Sequence, residues 1–105
     1  MKTIKPGYVY LTKLHSNDNN GQTVVPCVCI NVNLPLVQVV PLSKTKIKEH
    51  TVKVTTEQGS VSVDAYAQCY DISSVPIQWV GREVGDIKVQ QFVDIKQTLE
   101  EVLAL

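Results

Sequence analysis

The sequence predicts a small, mainly β domain: a strongly bent antiparallel sheet that closes toward a barrel, covered on one side by a single C-terminal helix. Short runs rich in valine, tyrosine and threonine recur as far as Ile72, separated by polar segments, Asn-Gly and Gln-Gly. From Val89 to Leu105, apolar residues recur at helical spacing without glycine or proline. The length of 105 residues fits one domain, which we assign to residues 1–105.

The first predicted strand is YVYLTKL, Tyr8–Leu14, because its aromatic and β-branched residues favour extended chain. The segment that follows, His15–Gly21 (HSNDNNG), has almost nothing to bury and ends in Asn-Gly, a strong turn signal. It is predicted to be an exposed loop between two strands. Its composition is similar to that of a calcium loop, but the spaced acidic ligands and the closing glutamate are missing, which excludes calcium.

The second and third predicted strands are VVPCVCINV and LVQVVPL, connected by Asn33–Pro35. Their apolar continuity predicts central strands covered on both faces. Pro26 is expected at the beginning of its strand, where a missing N–H is tolerated. The polar segment Ser43–His50, with three lysines, is predicted to be a loop.

The segment TVKVTTEQ is predicted to be the fourth strand, closed by Gln58-Gly59. The next run, Ser60–Ile72, alternates apolar and polar residues, with Gln68 on the polar face. Because it is longer than a usual strand of about 5–6 residues, a bend or bulge is expected near Asp64 or Tyr66.

The segment from Ser73 to Ile87 is interrupted by proline and glycine and is predicted to hold one turn and one short strand around Gln78–Val80. The final helix is predicted to bury an apolar stripe, along which Lys96 can lay its aliphatic stem. The stripe consists of Val89, Phe92, Val93, Lys96, Leu99, Val102 and Leu103, widened by Ile95.

Charge and cysteine content narrow the function classes. Ten basic and ten acidic side chains give no net charge, which argues against nucleic-acid binding by bulk charge and leaves room for a local basic patch. We expect no signal peptide, no membrane segment and a cytoplasmic location. The three cysteines, Cys27, Cys29 and Cys69, are interpreted as buried hydrophobes. A metal would need His15 and His50 to converge with them, so we predict no metal and no cofactor.

Four segments in this order resemble the PemK/MazF-like toxins, the small RNA-cleaving partners in bacterial toxin–antitoxin modules. The segments are PGYVYL, VVPCVCI, VQVVPLSK, and AQCYDISSV followed by WVGREVG, and they span most of the chain. The resemblance implies a small SH3-like barrel that forms a homodimer. It also implies single-stranded RNA in a groove across the two subunits and an antitoxin peptide that competes for that groove.

The chemistry matches the family less well than the fold does. Metal-independent RNA cleavage needs a group that activates the 2′-hydroxyl and a cation that stabilises the charged phosphorane. The family typically places an arginine before the proline, and this chain has Val25 there; its only arginine is Arg82. Ser43 occupies the family's Thr or Ser position after Pro-Leu, and the first loop supplies His15. These two are the candidate catalytic residues.

The candidate RNA-binding residues are Lys13, Gln22, Lys44, Lys46 and Gln68. Each candidate also has an ordinary structural interpretation: a solvated lysine face, a surface glutamine, or for Ser43 the first residue of a turn. Three functions therefore stay open. They are a divergent toxin with a rearranged cleavage site, a non-enzymatic member that binds nucleic acid or a protein, and a structural barrel domain.

Overall fold

The computed structural model describes residues 3–15, 22–46, 49–59 and 61–104, with the backbone alone for His15 and Gln22. These residues form seven strands, one α-helix and two short 3₁₀ turns. The strands are β1 (Tyr8–His15), β2 (Gln22–Asn33), β3 (Leu36–Ser43), β4 (Thr51–Gln58), β5 (Val61–Gln68), β6 (Ser73–Pro76) and β7 (Val80–Ile87). The helix α1 spans Val89–Ala104, and the 3₁₀ turns span Cys69–Asp71 and Ile77–Trp79.

Six of the strands form a closed antiparallel ring in the order β2-β1-β7-β4-β5-β3, which the pairing of β3 with β2 completes. The first half of β3 lies between β2 and β6, and its last two residues, Leu42 and Ser43, pair with β5. The predicted fold class, a barrel-like antiparallel sheet with one C-terminal helix, is therefore confirmed.

Alternate residues of the strands supply two apolar clusters, since neighbouring side chains point to opposite faces of a sheet. The first cluster, which we call the ring core, draws on all six ring strands and on α1: Val9, Val28, Val40, Leu42, Val54, Ala65, Ala67, Cys69, Ile87, Ile95 and Leu99. The second cluster contains Ile4, Tyr10, Cys27, Cys29, Val37, Val39, Val75 and Val80. Strands β2 and β3 contribute to both clusters, as their apolar continuity predicts.

The helix α1 is capped at its beginning by the Gln91 side chain and packs on the ring core. The Gln91 side-chain oxygen accepts hydrogen bonds from the backbone N–H of Lys88, at 3.4 Å, and of Thr55 in β4, at 3.0 Å. Ile95 and Leu99 are buried. The predicted stripe was too wide, because Val89 and Leu103 are 82% and 72% exposed. The helix turns its Ile95–Leu99 edge to the ring core, which leaves these two residues outside.

Several local expectations were wrong because neighbouring strands override local sequence. Strand β2 begins at Gln22, so Pro26 lies inside it, at a point where pairing with β3 has not yet begun. Strand β5 pairs regularly with β4 along its whole length, and the chain turns only afterwards, at Cys69–Asp71. The bend or bulge expected near Asp64 or Tyr66 is therefore absent from this strand.

The short strand expected around Gln78–Val80 was misplaced: Ile77–Trp79 form a 3₁₀ turn, with β6 before it and the eight-residue β7 after it. Gly81 and Gly85 lie within β7 as positions of close backbone approach. A Cβ atom at Gly81 would lie 2.6 Å from the Leu11 carbonyl oxygen, and one at Gly85 would collide with the Glu57 carbonyl oxygen. The glycines therefore allow β7 to pass close to both β1 and β4.

The backbone of His15 ends β1, and the rest of the predicted first loop lies outside the described residues. The described part of the β3–β4 connection is irregular, as expected. Within the described residues, no helix is long and apolar enough to cross a membrane.

Candidate functional site

All six ring strands contribute residues to a small pocket of about 80 Å³. Its lining is mostly apolar and includes the ring-core residues Val9, Leu42 and Ala65, with Ser43 and Lys44 among its polar members. An engineered cavity that admits benzene measures about 150 Å³. The pocket therefore has room for one small aliphatic side chain and not for a nucleotide base.

Ser43, the candidate catalytic residue, ends β3 beside this pocket and is half-buried. Its Oγ accepts a hydrogen bond from the backbone N–H of Thr45 at 3.2 Å and lies 3.5 Å from the Thr45 hydroxyl oxygen. Such a bond is typical of a serine that stabilises its own turn. We call residues Ser43–Lys46 the β3 turn; both of its lysines, Lys44 and Lys46, are exposed.

Gln68 lies at the end of β5 and is 3% exposed, although the alternating pattern predicted a solvent-facing side chain. Its Nε2 donates to the Tyr66 carbonyl at 3.1 Å and to the Thr45 carbonyl at 3.5 Å. Its Oε1 accepts a hydrogen bond of 2.6 Å from the Tyr70 hydroxyl. The amide thus connects β5 to the β3 turn. Burial, helped by the Asp71 carboxylate, raises the pKa of Tyr70 above its ordinary value.

Val25, the residue before Pro26, packs against the second cluster and is half-buried. Pairing between β2 and β3 begins only at Cys27, opposite Pro41, so Val25 pairs with Thr12 of β1 and Ser43 pairs with Tyr66 of β5. Pro26 and Ser43 also line the same pocket. The proline that follows Val25 and the retained serine therefore border one pocket, whereas the Val25 side chain makes apolar contacts with the second cluster.

The remaining candidates lie together at one end of the β1–β2 pair. Lys13 is exposed and pairs with Val24, which is 61% exposed, and His15 pairs with Gln22. The structure does not describe the side chains of His15 and Gln22. The structure therefore places Ser43, Lys44 and Lys46 on the β3 turn, with Gln68 bonded to that turn. It places Lys13, His15 and Gln22 together at the end of the β1–β2 pair.

The three cysteines are fully buried, as predicted. Burial raises the pKa of the Cys27 thiol to about 12 and that of the Cys29 and Cys69 thiols to about 11. Thiols that stay protonated are poor nucleophiles. Among the residues that the structure describes, no three His, Cys, Asp or Glu side chains converge as metal ligands.

Sequence reasoning missed Thr45 and Tyr70 as partners of the site. Thr45 supplies a backbone carbonyl, whose position no residue type reveals. Tyr70 follows Gln68 by two residues, which on a continuing strand would place both on one face, but the 3₁₀ turn at Cys69–Asp71 intervenes. The alternating pattern placed both residues on the polar face, but it gave no sign that the Tyr70 hydroxyl donates to a buried Gln68 amide.

A family model described as "PemK-like, MazF-like toxin of type II toxin-antitoxin system" matches residues 5–103. Comparison with curated proteins gives no match.

Solved structures agree with the family match. An endoribonuclease from a mycobacterial species superposes with a TM-score of 0.75 at 19% identity, covering 100% of this chain and 95% of that one. The Mycobacterium tuberculosis toxin MazF-mt6 gives 0.72 at 15% identity, covering 93% and 97%. A MazE–MazF structure from Deinococcus radiodurans gives 0.72 at 12%, covering 100% and 99%. At these identities the structural likeness establishes the fold.

Proposed function

Because the chain belongs to the PemK-like, MazF-like toxins of type II toxin–antitoxin systems, we propose that it is a divergent member of a bacterial module. In this proposal it binds single-stranded RNA, and the family's standard cleavage chemistry is lost or greatly weakened. The observation that carries the proposal is Val25, whose side chain packs against an apolar cluster at the position where a cation is expected.

The chemical argument rests on charge at the transition state. A valine neither donates a hydrogen bond nor carries a charge, and losing one preorganised donor costs roughly 10²–10³ in rate. The nearby lysines replace an arginine imperfectly, because an ammonium is a point charge on a flexible stem and not a planar fork. Efficient cleavage of the standard type is therefore not expected.

The RNA-binding part of the proposal rests on three exposed lysines. Lys44 and Lys46 lie on the β3 turn, and Lys13 lies on β1, with Gln22 placed farther along the β1–β2 pair. A small patch of this size contacts few phosphates, and each contact contributes roughly one unit to the dependence of log K on log salt. We therefore expect weak to moderate binding with a shallow salt slope.

The partner part of the proposal is an antitoxin peptide and a second copy of the chain. A similar endoribonuclease has been solved in complex with its cognate antitoxin, and the Deinococcus structure contains both MazE and MazF. The pocket beside Ser43 has room for one aliphatic side chain of such a peptide. Light scattering at micromolar concentration tests the homodimer, and a single mass near 11.6 kDa would exclude it. We also propose a cytoplasmic location, because the proposed target is cellular RNA.

A second candidate is residual cleavage by a rearranged site. The observation that favours it is the position of Ser43 beside Lys44 at the same pocket. In this case a lysine of the β3 turn replaces the missing arginine as the cation.

The proposed RNA binding is tested by titrating a labelled, unstructured RNA at several salt concentrations. We expect a slope of about one to three for the unmodified protein and a lower slope for Lys44→Gln combined with Lys46→Gln. The exposed Lys96 on α1 provides the matched control, since Lys96→Gln removes one charge from the helix and none from the β3 turn. Absence of binding would leave a protein-interaction module as the surviving function.

A further inference from the structure

Gln68 is a buried polar residue whose hydrogen bonds are all accounted for. At 3% exposure its amide needs partners, because a buried polar group without them is costly. It has one partner on its oxygen, the Tyr70 hydroxyl, and two on its nitrogen, the carbonyls of Tyr66 and Thr45. The side chain therefore has a defined orientation inside the protein and little surface to offer a ligand.

The partners belong to two different parts of the chain. Tyr66 and Tyr70 flank Gln68 in β5 and the adjacent 3₁₀ turn, whereas Thr45 belongs to the exposed β3 turn. The bond to the Tyr70 hydroxyl is short, at 2.6 Å, and the bond to Thr45 is at the outer limit, at 3.5 Å. The amide is thus fixed firmly on the β5 side and holds the β3 turn by a weaker bond.

The orientation of the amide follows from the chemistry of its partners. Two backbone carbonyls accept only, so the NH₂ group must face them. The Tyr70 hydroxyl then donates to the remaining oxygen. A flipped amide would place its oxygen against both carbonyl oxygens, so the network admits one arrangement.

We propose that Gln68 is a positioning residue and not an RNA contact: its amide, oriented by the Tyr70 hydroxyl, holds the β3 turn on β5. It thereby fixes where Lys44 and Lys46 present their charges to RNA. The expected effect on RNA binding rests on the proposed function. The attachment of the β3 turn to β5 does not, and it can be measured separately.

The experiment compares Gln68→Met, Tyr70→Phe and the unmodified protein by amide hydrogen exchange and by RNA titration. Methionine retains the length of the side chain and removes the amide, and Tyr70→Phe removes one hydroxyl. Gln97→Met, on the exposed face of α1, is the matched control. We expect faster exchange at residues 44–46 in both Gln68→Met and Tyr70→Phe, with unchanged exchange in the ring core and no effect in the control.

The expected loss of RNA affinity is roughly 2- to 10-fold in Gln68→Met and smaller in Tyr70→Phe, as for one ordinary hydrogen bond. Weaker RNA binding without faster exchange of the turn would show a direct RNA contact and overturn the proposal. Unchanged exchange together with unchanged binding would also overturn it. If the unmodified protein binds no RNA, the proposed function fails, while the exchange result still decides whether Gln68 holds the turn. If Gln68→Met does not fold, the exchange of residues 44–46 in Tyr70→Phe, compared with the unmodified protein, tests the proposal.

Discussion

The ring core and the β3 turn differ in what holds them. Every ring strand and α1 contribute buried aliphatic side chains to the ring core, and each fully buried Val, Leu or Ile among them stabilises the fold by about 1.5–3 kcal/mol. In the described residues, the β3 turn is attached to β5 by the strand pairing of Ser43 with Tyr66 and by the bond of Gln68 to Thr45, and within the turn Thr45 donates to Ser43. Each of these hydrogen bonds contributes about 0.5–1.5 kcal/mol.

This difference explains how the fold persists while the chemistry changes. Apolar positions accept other apolar residues of similar volume, so the same ring occurs in structures that share only 12–19% identity with this chain. A cleavage site depends on single charged groups in fixed positions, and one substitution removes such a group. At Val25 the chain has an apolar contact with the second cluster in place of that group.

The largest effect is expected from alkaline pH acting on the buried thiols. The folded state raises the pKa of Cys27 from 9.0 to about 12, and those of Cys29 and Cys69 to about 11. A raised pKa means that the folded protein binds more protons, so this stability is complete below pH 9 and is lost above it. Each thiol contributes about 1.4 kcal/mol per pH unit between its unfolded and folded pKa.

Denaturant unfolding measured from pH 7 to pH 11 checks this expectation. The free energy of unfolding should fall steeply above pH 9, by about 4 kcal/mol per pH unit for three thiols at most. The variant Cys27→Ala should show a slope reduced by about a third. A stability that stays constant to pH 11 would show that the thiols are accessible and that the core is loose.

Removing a ring-core side chain of the helix should have the next largest effect. Leu99→Ala leaves a cavity in the ring core and is expected to cost about 2–5 kcal/mol. Leu103→Ala is the control on the same helix, because Leu103 is 72% exposed and should change stability by no more than about 0.5 kcal/mol. Equal unfolding midpoints for the two variants would mean that α1 does not complete the ring core.

Truncating Val25 should have a small effect on stability and none on RNA affinity, which distinguishes a packing role from an RNA contact. Val25→Ala removes two methyl groups from a half-buried side chain and should cost about 1 kcal/mol, with unchanged RNA affinity. Val24→Ala, at a neighbouring and more exposed position, should cost less. A loss of RNA affinity in Val25→Ala at unchanged stability would place this side chain in the RNA-binding surface and contradict its assigned packing role.

The sequence predicted the elements that depend on local pattern. Strands β1 to β4 and the helix follow from β-branched runs, Gly-containing turns and helical spacing. The long β7 was missed, because Gly81 and Gly85 are residues typical of turns. In the structure they lie inside the strand, where the backbones of neighbouring strands come too close for a side chain. The burial of Gln68 was missed for a related reason: its partner Thr45 lies 23 positions away along the chain, and its partner Tyr70 lies in a 3₁₀ turn that the pattern did not predict.

The central claim is that the fold is retained while standard cleavage is lost or greatly weakened. The most direct test incubates the purified protein, in excess and with a metal chelator, with a long RNA of mixed sequence, and then sequences the ends. We predict no discrete cut sites above those of a reaction without protein. Discrete cuts by the unmodified protein that disappear in Ser43→Ala would contradict the account and establish an active site built on Ser43.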